Sequence, residues 1–157
     1  MLQYSSFNNS VLLTSQAYIT SFDIREVQSL AISVRGTSNQ FHEEYGLYFN
    51  MLKPDRYLVF QDNGVQTPAR YQAGEEINVP YFVKPRFKIV DICATNSSSR
   101  LCSLPDVAIS FERPDFDATF YSSAKPNITS VEIVIGSVNG ELTKTVTIYQ
   151  TGQISVN

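Results

Sequence analysis

The chain's one histidine, His42, stands beside Glu43 and Glu44, so an imidazole base tuned by a neighbouring carboxylate would have to act there. No nucleophile signature lies near it, and a solvated loop is the expectation. Asp62-Asn63-Gly64 opens like a calcium loop, but Val65, Gln66 and Thr67 follow where carboxylates are required. Glu75 and Glu76 come too late for that spacing, so the stretch reads as a turn. Glu112, Asp115 and Asp117 gather around Arg113 and Pro114, where paired carboxylates could hold a cation or share acid and base roles. With Arg113 among them to neutralise charge, a solvated turn is again expected. Two cysteines and one histidine are too few for a His/Cys zinc cage. No catalytic residue, metal or cofactor is expected.

Cys93 and Cys102 bracket Ala-Thr-Asn-Ser-Ser-Ser-Arg-Leu, a polar segment that is flexible when open. The spacing fits neither a redox C-x-x-C pair nor a metal knuckle. A disulfide closing this loop is the expectation, with two free thiols as the alternative. Lys84, Arg86 and Lys88 alternate, so one extended strand would place all three on one face near Tyr81 and Phe82. They form a candidate ligand patch for an acidic polymer. The competing account is an edge strand guarded by lysines and Pro85.

The elements that carry these residues follow from pattern. At 157 residues the chain is sized for a single domain, 1–157. Hydrophobic residues at 43% argue against disorder, and charged residues at only 17% leave a neutral, Ser/Thr/Asn-rich exterior of the kind found outside the cytoplasm. A net charge of -3 supplies no global field for nucleic acid or anionic lipid, so strong nucleic-acid binding is not expected.

From Val11 to Arg35 there is no Gly or Pro. Leu13, Ala17, Thr20, Ile24, Val27, Ala31 and Val34 recur at helical spacing, predicting one long helix with these residues packed on sheet. Arg35 and Gly36 mark its stop, making residues 1–36 a helical spine. On its other side Val11, Tyr18 and Phe22, widened by Leu12 and Ile19, form a second apolar surface suited to contact with another subunit.

After Gly36 the period becomes two. Strands are predicted near Tyr45–Phe49, Tyr57–Gln61, Arg86–Ile92, Val107–Phe111, Val131–Val138, Leu142–Tyr149 and Gln153–Val156, with a short one near Ile77–Tyr81. Asn139-Gly140 and Thr151-Gly152 turn the last strands into an antiparallel meander, and residues 114–129 read as surface loop. The fold class is α+β: one long N-terminal helix on antiparallel sheet, with 37–157 as the globular part.

The helix ending Ser21-Phe-Asp-Ile-Arg-Glu-Val-Gln-Ser-Leu-Ala-Ile-Ser-Val-Arg-Gly36, followed by an antiparallel tail, resembles the type IV pilin superfamily, in particular its GspH/FimT-like minor pilins and pseudopilins. Similar segments follow in order: Tyr45-Gly-Leu-Tyr-Phe49, Tyr57-Leu-Val-Phe-Gln-Asp62, Ile109-Ser-Phe-Glu-Arg-Pro114 and Thr145-Val-Thr-Ile-Tyr-Gln-Thr-Gly-Gln-Ile-Ser-Val156. The resemblance implies a noncatalytic fibre subunit of a type IV pilus or type II secretion pseudopilus. It would be stored in the bacterial inner membrane through an apolar half-helix ahead of Tyr4-Ser-Ser-Phe7, then moved into a periplasmic or extracellular fibre. Its partners would be other pilin or pseudopilin subunits packed through the helix. The DNA-uptake branch of that family carries a Gly-Arg-x-Arg pattern; here Gly152 is followed by Gln153, Ile154 and Ser155, so DNA binding is not implied. The alternative is a freestanding extracellular binding module for glycan or DNA, using Lys84, Arg86 and Lys88 or the aromatic loops.

Overall fold

The computed structural model describes residues 2–33, 44–62, 68–111 and 115–157, and in the helix its side chains from Phe7 onward. Helix α1 spans Leu2–Ser33. It starts well before Val11, because the polar Ser/Asn/Gln stretch ahead of the apolar stripe also lacks Gly and Pro and continues the helical turns. At about 1.5 Å per residue it is ~48 Å long. Val34, Arg35 and Gly36 lie outside the described residues, as do His42, Glu43, Asn63, Gly64, Glu112 and Arg113.

Ten strands follow: β1 Glu44–Asn50, β2 Arg56–Asp62, β3 Tyr81–Phe82, β4 Phe87–Thr95, β5 Arg100–Leu101, β6 Asp106–Phe111, β7 Ala118–Tyr121, β8 Ser130–Ser137, β9 Thr143–Tyr149 and β10 Ile154–Val156. They form two five-stranded antiparallel sheets, ordered β3-β2-β1-β6-β7 and β10-β9-β8-β4-β5. The meander predicted at the C-terminus is the β8–β9–β10 part of the second sheet.

Both sheets and the helix share one core. Leu47 and Phe49 of β1, Tyr57 and Val59 of β2, and Val107, Ile109 and Phe111 of β6 are buried on the inner face of the first sheet. Val131, Ile133 and Ile135 of β8 with Val146 and Ile148 of β9 line the second, as their alternation predicts. Between them lie Leu13, Ala17, Ile24, Val27 and Ala31 of α1, the expected packing stripe. Each fully buried Leu, Ile or Val contributes about 1.5–3 kcal/mol relative to exposure. The outer face of the first sheet carries a smaller core of Phe60, Ala69 and Ala108, with Tyr48, Tyr71 and Tyr121 against it. Gly46 leaves room for this layer: a Cβ there would stand 2.5 Å from the Ile109 carbonyl oxygen and 2.7 Å from the Phe60 ring.

Three expectations change. Residues 114–129 are not all loop, because β7 pairs with β6 and buries Ala118 and Phe120 on alternate positions. The strand expected near Ile77–Tyr81 is reduced to β3 and an isolated bridge between Phe60 and Glu76. Finally, β4 begins at Phe87, because Phe87 N–H donates to Lys84 C=O at 2.8 Å and closes a turn through Pro85. Lys84, Arg86 and Lys88 therefore do not share one extended strand. Nor is β4 an edge: β8 pairs along it, β5 pairs with its end, and the Pro54 carbonyl accepts from Ile89 N–H at 2.8 Å.

Candidate functional site: the exposed face of the helix

The buried stripe of α1 is apolar except at four positions, and two of those are anchors. Gln16 Oε1 accepts from Lys84 N–H at 3.1 Å. Gln28 Nε2 donates to the carbonyls of Phe116, at 2.9 Å, and Gly152, at 3.1 Å, so a single amide ties the approach to β7 in one sheet to the β9–β10 turn of the other. Gly152 sits at φ 78°, and a Cβ there would meet the Phe116 oxygen at 2.0 Å. Arg25 reaches the Ile154 carbonyl at 3.4 Å. Tyr57 O–H donates a short hydrogen bond to Asp23, and Tyr81 O–H one of 3.3 Å to Glu26. Partial burial pushes the Asp23 carboxyl above its ordinary range, against the Tyr57 hydrogen bond, and the nearby Glu26 charge adds to the rise. Burial and the Asp23 carboxylate hold the Tyr57 phenol strongly raised. These polar contacts fix the helix's rotation about its axis and so decide what its other side presents.

That other side carries Val11, Tyr18, Ile19 and Phe22, all exposed as predicted, and Phe22 retains 65% of its surface. Leu12 does not join them: it is half-buried and packs against the core. At about 100° per residue Leu12 and Ile19 share one flank of the row, a quarter to a third of a turn from Val11, and on that flank Leu12 turns inward while Ile19 keeps 38% of its surface. Phe7, which pattern reading passed over, is 72% exposed and extends the row. Phe7, Val11, Tyr18 and Phe22 recur at spacings of four, seven and four, the seam spacing of a helix that packs lengthwise against another. Phe7 lies within the 1–36 spine read from sequence, four residues before Val11, so the spacing that adds it to the row was present there. Beyond Phe22 the row turns polar at Arg25 and Ser29.

The other sequence candidates have structural roles. Cys93 and Cys102 have their sulfurs 2.07 Å apart, at bonding distance. The Asp91 carboxylate lies within 4.8 Å of both sulfurs, and its Oδ1 accepts from the Ile92 and Ser103 amides, each at 2.8 Å. The enclosed loop is tied down by Lys125 Nζ donating to Ser99 Oγ at 3.0 Å and by Asn96 Nδ2 donating to the Pro126 carbonyl. Glu44 accepts from Ser110 Oγ at 2.8 Å, and Asp62 from the Arg70 amide at 3.3 Å. Asp115 and Asp117 are exposed. Tyr48 stacks on Tyr71, and burial together with its hydrogen bond to Asp106 pushes its phenol up to about 12.

No family model matches the chain, and neither does any curated protein or solved structure. No helix among the described residues is long and apolar enough to cross a membrane.

Proposed function

We propose that the chain is a noncatalytic minor subunit of a pilin-type fibre, a type IV pilus or a type II secretion pseudopilus, with α1 as the packing spine. The observation that carries this reading is the exposed row Phe7, Val11, Tyr18 and Phe22 on the side of α1 turned away from its own sheets. Four large apolar side chains at seam spacing on one helix form an unusual surface for a protein in water, and a second helix of matching pattern removes them from it. The buried Gln16 and Gln28 anchors support the same reading, since they help hold the helix so that this row stays outward. The α+β layout, a long N-terminal helix against antiparallel sheet, agrees with a pilin-like arrangement. In this reading the chain resides in the inner membrane before assembly and in a periplasmic or extracellular fibre afterwards.

The test is site-specific photo-crosslinking from position 18, with Tyr18 replaced by a photoreactive residue in cells that assemble the fibre. Adducts to fibre subunits, lost on adding Phe22→Asp, are expected. A chain that forms no adducts while fibres assemble normally would overturn the reading.

A further inference from the structure

The tip of the β8–β9 hairpin projects between two adjoining hollows of about 350 and 430 Å³. Ser137, Val138 and Asn139 form the ridge they share. Asn9 of α1 and Arg86 complete the first, and Lys88 and Pro54 the second. The hairpin is held in place by Val138 N–H donating to the Arg86 carbonyl at 3.1 Å, so the turn that carries Arg86 and the ridge form one unit. We propose that this double hollow binds an oligosaccharide bearing carboxylates, one sugar unit on each side of the ridge. This goes beyond the fibre reading and does not depend on it.

Charge is the first argument. Each hollow is lined by one cation and by no carboxylate, on a chain whose net charge is -3. The neutral lining is the second: the side-chain amides of Asn9 and Asn139 both donate and accept, which suits hydroxyl groups. Rigidity is the third, because Pro85 and Pro54 set the backbone of the two outer walls before any ligand arrives. The volumes fall at the small end of ligand sites, which span roughly 300–1,000 Å³. Single-stranded nucleic acid is the less suitable occupant. Its binding sites rely on aromatic platforms, and the one aromatic ring lining either hollow, Phe87, is buried in the core.

The test uses a galacturonate tetrasaccharide, its methyl-esterified neutral form and a thymidine oligonucleotide, titrated into the full chain and followed by amide NMR shifts. The acidic saccharide should shift the amides of Arg86–Val90 and Ser137–Gly140. Arg86→Gln with Lys88→Gln, both at exposed positions, should weaken it roughly tenfold without changing the melting temperature. The esterified form should bind no better to the native chain than the acid does to the double variant. Absence of shifts, or binding indifferent to both substitutions, would overturn the proposal. An oligonucleotide that binds more tightly than the saccharide and is lost in the same variant would assign the hollows to nucleic acid instead. Because Phe22→Asp leaves the hollows untouched, saccharide binding and fibre assembly fail or succeed separately.

Discussion

Phe22 and Ile24 stand two residues apart on α1 and meet opposite surroundings: Ile24 is wholly enclosed between the sheets, whereas the Phe22 ring lies in solvent. Ile24→Asp buries a charge without a partner and should cost about 3–5 kcal/mol. Phe22→Asp should change stability by no more than about 0.5 kcal/mol while preventing incorporation into fibres. Thermal melts of the two variants beside an assembly assay separate the faces. Equal losses of melting temperature would mean that both are internal packing.

The Cys93–Cys102 loop predicts that denatured, unreduced protein contains no titratable thiol. Reduction should lower stability by about 2–3 kcal/mol, as expected for closing so short a loop. Two thiols in protein from an oxidising compartment would refute the bridge.

Asp23 gives a pH dependence with a definite sign. Its folded carboxyl titrates above the ordinary 3.8, so the native state holds this proton more firmly than the unfolded chain does. Its contribution to stability is therefore greatest below the unfolded value and is lost as pH rises through the folded one. A carbon-13 carboxyl titration should show a midpoint above 3.8, higher still in Tyr57→Phe, which removes the hydrogen bond that favours the ionised form. A midpoint at or below 3.8 would contradict the burial that raises it.

Gly152 and Gly140 form a matched pair, both at positive φ but in different surroundings. Gly140→Ala meets open space and should cost only the backbone preference, about 1 kcal/mol. Gly152→Ala must also displace Phe116 and disturb Gln28, and should cost about 2–4 kcal/mol. Urea unfolding of both variants decides this, and equal costs would exclude the Phe116 contact as the cause.

Duplex DNA should bind in the non-specific range, weaker than about 1 μM at physiological salt, because Gln153 and Ser155 bring no positive charge to neutralise phosphates beside the β9–β10 turn. Fluorescence anisotropy measures it. Submicromolar binding abolished by neutralising Lys84, Arg86 and Lys88 would show those cations acting together on the duplex.

Long regular segments were legible in sequence because burial imposes one period on each: the stripe from Leu13 to Ala31 and the alternation at Val131, Ile133 and Ile135 both pack as predicted. Short segments were not. β7 has four residues, too few for a period to stand out beside the Pro, Asp and Asn that flank it. The irregularity in β4 between Ile89 and Asp91 shifts the inward set from Phe87 and Ile89 to Ile92 and Ala94, so that no single alternation runs through the strand. The division into two sheets depends on partners far apart in the chain, which local pattern does not encode. On the helix, nothing in the pattern singles out Gln16 and Gln28 as anchors, because their partners are backbone groups, and any sequence can supply those.

Those two glutamines also add, beside the buried stripe, to the resistance expected when the helix is pulled along its axis. They lie twelve residues apart, about 18 Å along the axis, and grip backbone atoms in separate parts of the globular body. With Arg25 between them, a pull along α1 is shared by several bonds strained sideways at once, instead of peeling them in succession from one end. Rupture then requires concerted failure, and the barrier to forced extraction exceeds that of any single contact. In a single-molecule extension experiment, Gln16→Ala with Gln28→Ala should lower the peak force for withdrawing the helix by its N-terminus much more than either change alone.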